Sequence, residues 1–167
     1  MIYDPALLDV LEECPRVSFR GEVWRHMLGD APPVKPNMRG ARWNPPDVAA
    51  LYASLDRETA IAEGDHLLSM QPLRPTAARR LYAMRAELGD VLDLRDEQLL
   101  LRLGVDADDL SGTDFSACQM VGGAAAWLGI EAIIVPSARA DGGNLVIFVR
   151  AQDADSALEI RIDEALP

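Results

Sequence analysis

Five of the chain's eleven prolines fall between residues 29 and 46, at Pro32, Pro33, Pro36, Pro45 and Pro46. Proline fixes its own φ and has no amide hydrogen to give a helix or a sheet ladder, so this stretch must fold as a long loop. Long loops in compact domains carry function disproportionately often, because the surrounding scaffold holds them in place. The end of this one is dense in side-chain chemistry: Gly40-Ala41-Arg42-Trp43-Asn44-Pro45-Pro46, followed by Tyr52 and then Glu63.

At 167 residues with 49% apolar content, the chain is sized for a single domain over residues 1–167 with a real core. Sixteen bases against 27 acids give a net charge of −11, which disfavours direct nucleic-acid binding and attachment to anionic membranes. Charge is uneven, however. Between residues 16 and 42 stand Arg16, Arg20, Arg25, Lys35, Arg39 and Arg42 against Glu22 and Asp30, six minus two, a local +4 that is either a candidate anion site or a set of unrelated surface bases. Two distant cysteines, Cys14 and Cys118, and two histidines, His26 and His66, offer no metal-site or disulfide spacing, so no metal is expected. Cys118 sits in a periodic apolar segment and reads as a small core residue. No apolar run is long enough to span a bilayer, and Asp4 and Asp9 stand where a signal peptide would carry bases, so a cytoplasmic setting is expected.

Asp4 before Pro5 is a helix start, and Leu7, Leu8 and Leu11 form its apolar stripe up to Pro15. Residues 17–25 alternate as a strand, with Phe19 and Val23 turned to the core. A short strand is expected over residues 48–52, then a helix from Arg57 to about Met70 capped by Asp56. On that helix Ala60, Ile61, Gly64, Leu67 and Leu68 share a face, and Glu63 lies about 100° from its centre, on the rim between core and solvent. Pro72 and Pro75 end this unit. Residues 78–86 read as a strand turned by Gly89, 91–94 as a separate apolar run, and 96–103 as a helix before Gly104. The nine acids from Glu87 to Asp114 lack the alternation of a calcium loop and read as solvated surface.

Ser116 opens a further helix with Ala117, Val121, Ala124, Ala125 and Leu128 inward, and Gly129 closes it. Gly122-Gly123 costs that helix propensity, which predicts a close approach by another segment. Residues 131–135 and 144–149 read as a hairpin of central strands, and 157–162 as an exposed edge strand. Strands and helices that do not strictly alternate define an α+β class.

Taken together, Trp24-Arg25, Arg42-Trp43-Asn44-Pro45, Leu51-Tyr52-Ala53-Ser54, Thr59-Ala60-Ile61-Ala62-Glu63, Val135-Pro136-Ser137-Ala138-Arg139 and Gly143-Asn144-Leu145 resemble the RES-domain family over residues 17–148. The resemblance implies an ADP-ribosyltransferase-like fold: a split mixed/antiparallel β-sheet core with flanking helices. It further implies a bacterial toxin that consumes NAD by cleaving its nicotinamide–ribose bond, through hydrolysis or phosphorolysis with inorganic phosphate as co-substrate. An Xre-type antitoxin would hold it inactive, as a toxin–antitoxin hetero-oligomer or alongside homo-oligomers. The family's glutamate corresponds to Glu63 and its serine to Ser137, while its arginine is Arg25 or Arg42. Asp47 and Ala41 depart from the pattern, since the family often has glycine at both.

NAD presents a pyrophosphate, two riboses and a nicotinamide that leaves as a neutral group. An arginine fork suits the pyrophosphate, with Arg25 and Arg42 as candidates. Glu63 would stabilise the oxocarbenium character that develops on the ribose. The ring of Tyr52 could stack on nicotinamide, and Trp43 would pack to hold Arg42 in register. Ser137 suits hydrogen bonding to phosphate or ribose better than nucleophilic attack, because no base adjoins it in sequence. Asn144 is either an orienting group for that loop or a plain turn residue. Two rival readings share these residues: a mono-ADP-ribosyltransferase acting on a protein or nucleotide, and a non-catalytic module that binds NAD or the antitoxin.

Overall fold

The computed structural model describes residues 3–73, 76–149 and 158–167. Its elements run α1 (Pro5–Glu13), β1 (Arg16–Leu28), β2 (Ala50–Ser54), α2 (Arg57–Ser69), β3 (Arg79–Asp93), α3 (Glu97–Arg102), α4 (Ala107–Ser111), α5 (Ser116–Trp127), β4 (Ala132–Pro136), β5 (Gly143–Phe148) and β6 (Leu158–Leu166). The class is α+β, and the sheet is mixed: β3 pairs β4 in parallel and the other pairings are antiparallel.

The sheet order is β1-β2-β5-β4-β3-β6, and β1 also pairs with β3 along nearly its whole length. Five strands therefore close into a barrel-like ring, with β6 added outside it on β3. The expected split is absent from the described residues, because β1 and β2 meet through the pair Trp24 and Ser54. The free edge falls to β6, the exposed edge strand expected there, and its apolar Ile160 and Ile162 are exposed along with their polar neighbours. Ala157, the expected first residue of that strand, and Pro75 lie outside the described residues.

Period-two alternation in the ring strands sorts their side chains into two cores. In β4, Ala132 and Ile134 join the cluster of Val23, Leu51, Met84, Leu145 and Ile147. Ile133 and Val135 point the other way, into the cluster that Leu11, Leu100, Val121, Ala124 and Ala125 of the helices complete. Both faces of β2, β4 and β5 are thus buried, which is why β4 and β5 read as continuous apolar runs. Cys118 is fully buried in the helical cluster.

Two sequence expectations fail in β3 and one in α2. Gly89 does not turn the chain: its amide and that of Asp90 donate to Glu131 Oε2 at 2.6 and 3.0 Å, and the strand continues to Asp93, absorbing the apolar run expected to stand alone. That run also gains its parallel partner β4 there, a pairing set by distant residues. Leu67 is 59% exposed, so the buried face of α2 is Thr59, Ala60 and Gly64. Gly64 lets α2 lie close on β1, since a Cβ at this position would overlap the His26 ring. The acidic middle also contains a helix that periodicity did not reveal: Asp106 caps α4 through the amides of Asp108 and Asp109, and Asp109 returns a bond to the Asp106 amide.

The proline-rich loop is fixed at its functional end. Gly40 has φ +92° and packs on Pro46, while Asp47, where the family resemblance led glycine to be expected, holds φ +73°. Aspartate tolerates this left-handed region better than most residues, so the departure at Asp47 preserves the turn.

Candidate active site

Glu63 lies at the end of the sheet where β2 stops and β5 begins. Its Oε1 accepts from Ser137 Oγ at 2.7 Å and from Asn144 Nδ2 at 2.8 Å. Asn144 is oriented in turn by Ser54, whose hydroxyl donates to its Oδ1 at 2.8 Å. Ser54 and Asn144 are cross-strand partners in the β2–β5 ladder, so sheet register carries the chain Ser54–Asn144–Glu63. Ser137 is held from the other side, with its Oγ accepting from the Arg139 amide at 3.1 Å. Among the described residues Glu63 Oε2 has no hydrogen-bond partner.

The loop carrying Ser137 is seated by a glycine. A Cβ on Gly142 would overlap the Thr59 hydroxyl and the Asp56 carboxylate, the pair that caps α2 through Thr59 N to Asp56 Oδ1 at 2.7 Å and Thr59 Oγ1 to Asp56 Oδ2 at 2.8 Å. Close packing and hydrogen bonds thus tie the start of α2, the 137–142 loop and Glu63 together. Gly142→Ala is expected to part the loop from α2 and lower activity by about tenfold, seen as a fall in turnover at unchanged secondary structure.

Tyr52 stands two residues before Ser54 on the same strand face. Its phenol donates to Asn44 Oδ1 at 2.8 Å and accepts from the Trp43 amide at 2.9 Å, and burial pushes its pKa above the ordinary range. Asn44 is fully buried and donates to Val48 O at 2.8 Å. Asn44→Ala leaves the Tyr52 hydroxyl hydrogen without an acceptor and takes the Asn44 amide from the Val48 carbonyl, so a loss of about 3 kcal/mol is expected in chemical denaturation. Trp43 is 2% exposed and packs in the helical core, fixing its neighbour Arg42.

The two arginines left open by the sequence occupy different environments. Arg42 donates from Nη1 to Asp109 O at 2.6 Å and from Nη2 to Gly112 O at 3.1 Å, and lies over the Phe115 ring at 4.5 Å. Burial lowers its pKa first, Arg139 lowers it further, and Cys118, Glu63 and Tyr52 oppose this. The Cys118 thiol beneath it is pushed up to about 11, chiefly by burial. Arg25 instead shares the face of Val23 on β1. Its Nε donates to Met27 Sδ at 3.1 Å and its Nη2 to Lys35 O at 3.0 Å, while Nη1 is buried without a partner. Burial lowers the pKa of Arg25 to about 10, and no carboxylate offsets it.

The +4 stretch does not form one patch. Arg16 pairs with Asp90 at 3.3 Å and Arg20 with Glu87 at 3.1 Å, both on the exposed run of β1. Arg25 and Arg42 instead donate to backbone carbonyls, Arg25 to Lys35 and Arg42 to Asp109 and Gly112. Ser54, Phe115 and Gly142 escaped sequence reasoning because their roles arise from cross-strand register and loop seating. No group of three or more metal-ligating side chains occurs among the described residues, and none of their helices is long and apolar enough to cross a membrane.

A mixed, ring-closed sheet that presents a hydrogen-bonded carboxylate beside a proline-rich arginine loop defines an α+β domain built around one acidic centre. The RES domain family matches residues 14–167, and the chain belongs to it. Among curated relatives, NAD(+) phosphorylase MbcT of Mycobacterium tuberculosis (strain ATCC 25618 / H37Rv) is 34% identical over 120 residues, covering 68% of this chain and 62% of MbcT. The chain thus spans less than two thirds of that relative's length. The probable NAD(+) phosphorylase Rv3189 of the same strain is 32% identical over 152 residues, covering 87% of this chain and 72% of that protein. The M. tuberculosis MbcT–MbcA toxin–antitoxin complex contains a chain that superposes with a TM-score of 0.83 at 25% identity, covering 98% of this chain and 93% of that one.

Proposed function

We propose that this protein cleaves the bond between nicotinamide and ribose in NAD, with inorganic phosphate as acceptor, and serves as the toxin of a cytoplasmic toxin–antitoxin pair. The observation that carries the reading is the half-committed carboxylate of Glu63: Oε1 is held by Ser137 and Asn144, and Oε2 remains available to a ligand. A carboxylate fixed by two donors is preorganised, so it stabilises positive charge developing on the ribose without having to rearrange. Oε2 is also a ready acceptor for a ribose hydroxyl. The names of MbcT and Rv3189 support phosphorolysis over hydrolysis, and the MbcT–MbcA complex supports an antitoxin partner, which we take to be of the Xre type. We take the fold to be ADP-ribosyltransferase-like in descent, with its sheet closed where that resemblance implied a split.

The site residues then divide by availability. Arg42 spends one N–H of each Nη on a carbonyl, so its first part is to brace the loop and supply charge near Glu63. Arg25, with a buried and unpartnered Nη1, is the better pyrophosphate donor, because a ligand oxygen there would satisfy a costly orphan group. The hydroxyl of Tyr52 is occupied, which leaves only its ring for nicotinamide. Ser137 lies against a carboxylate in space though not in sequence, and here it acts as a donor that orients Glu63.

Purified protein freed of any partner should release nicotinamide from NAD in the presence of phosphate and form ADP-ribose 1″-phosphate. Stoichiometric binding without release would instead establish a non-catalytic module, and transfer of label from NAD to protein would establish the transferase alternative. Arg25→Gln is expected to raise the KM for NAD about tenfold or more, read from initial rates. An unchanged KM would remove Arg25 from the site.

A further inference from the structure

Phosphorolysis sets an electrostatic difficulty at Glu63. The acceptor is itself an anion and must reach the anomeric carbon beside a carboxylate, so a cation with free donors has to stand close by. Arg42 supplies charge, but one N–H of each Nη is spent on the carbonyls of Asp109 and Gly112, which ties its fork to that loop. Arg139 is different. It lies two residues beyond Ser137, and its amide donates to the same Ser137 Oγ that donates to Glu63. It is partly buried, yet among the described residues its guanidinium has neither an ion pair nor a hydrogen-bond acceptor. The charge of Arg139 also acts with burial to lower the pKa of Arg42, which the Glu63 carboxylate raises. A half-buried guanidinium without a protein partner is relieved by a bound anion.

We propose that Arg139 is the residue that holds inorganic phosphate beside Glu63. This rests on the NAD-cleavage reading and assigns the acceptor site within it. An oxygen of hydrogen phosphate forms a bond to the anomeric carbon of the nicotinamide ribose as the bond from that carbon to the nicotinamide nitrogen breaks. The bonding pair goes to the ring nitrogen, nicotinamide leaves neutral, and the phosphate proton passes to solvent from the ADP-ribose 1″-phosphate formed. The guanidinium of Arg139 offsets the negative charge of the incoming phosphate, while Glu63 stabilises the ribose cation.

The test is a steady-state titration of phosphate and NAD with the full chain, following nicotinamide and separating ADP-ribose from ADP-ribose 1″-phosphate. R139Q is expected to raise the KM for phosphate by about tenfold or more, to change the KM for NAD less than about twofold, and to shift product toward ADP-ribose. R139K, which keeps the charge and loses the fork, should fall between the two and guards against a folding defect in R139Q. A rise in the KM for NAD with the phosphate KM unchanged, or no change in either, overturns the assignment. If wild-type protein releases nicotinamide with no dependence on phosphate, cleavage stands and the Arg139 inference is overturned. If it releases none with or without phosphate, the cleavage reading falls and takes the inference with it.

Discussion

Glu63→Gln is expected to lower nicotinamide release by about 100-fold or more with the fold intact. The substitution is nearly isosteric, and the amide oxygen can still accept from Ser137 and Asn144, so the network around Oε1 survives. What disappears is the negative charge. A large loss at unchanged thermal stability therefore isolates electrostatic stabilisation of the ribose cation from mere positioning. Ser137→Ala removes one orienting donor and keeps the charge, so its loss should be smaller, about tenfold. Asn144→Asp places a second carboxylate on Glu63 and should be worse than Ser137→Ala, because two like charges at this separation cannot both stay ionised. Equal activity in wild type and Glu63→Gln would remove the carboxylate from the chemistry, whatever NAD does at this surface.

The parts of this centre that were legible in the sequence are those set by local rules. Asp4 and Asp56 cap their helices as their positions predict, through Ala6 N at 2.9 Å and Thr59 N at 2.7 Å. Helical spacing alone put Glu63 on the rim of α2, where it stands. The partners of Glu63 were named as separate loop residues, but their convergence depends on the pairing of Ser54 with Asn144 across 90 residues. The choice between Arg25 and Arg42 could not be read because each adjoins an aromatic residue in a plausible motif. Only strand facing and the carbonyls of Asp109 and Gly112 separate them. The continuation of β3 past Gly89 was hidden for the same reason, since the acceptor for its amides is Glu131, 42 residues on. The closure of the ring likewise depends on one cross-strand meeting, Trp24 with Ser54, that no local period announces.

The glycine pair in α5 predicted a close approach, and the approaching segment is the arginine loop itself. A Cβ on Gly122 would overlap the carbonyl oxygen and carbon of Trp43, and one on Gly123 would meet the Tyr3 hydroxyl and Pro45. Gly122→Ala cannot be absorbed by a rotamer change, because what it strikes is backbone. The loop must lift, and with it go the core contacts of Trp43, the Tyr52–Trp43 hydrogen bond and the seat of Arg42 over Phe115. Overpacking of this kind costs about 3 kcal/mol, offset only slightly by the better helix propensity of alanine. For a chain of this size the expected result is a fall in Tm of about 10 °C, with activity lost beyond what unfolding explains. Gly123→Ala strikes a tyrosine hydroxyl and a proline ring, which can shift, so its effect should be clearly milder. A Gly122→Ala variant as stable and active as wild type would show that the loop does not depend on this seat. Arg42 would then owe its position to its own hydrogen bonds to the carbonyls of Asp109 and Gly112, and Arg42→Lys, which loses the fork, should reproduce the defect that Gly122→Ala failed to cause.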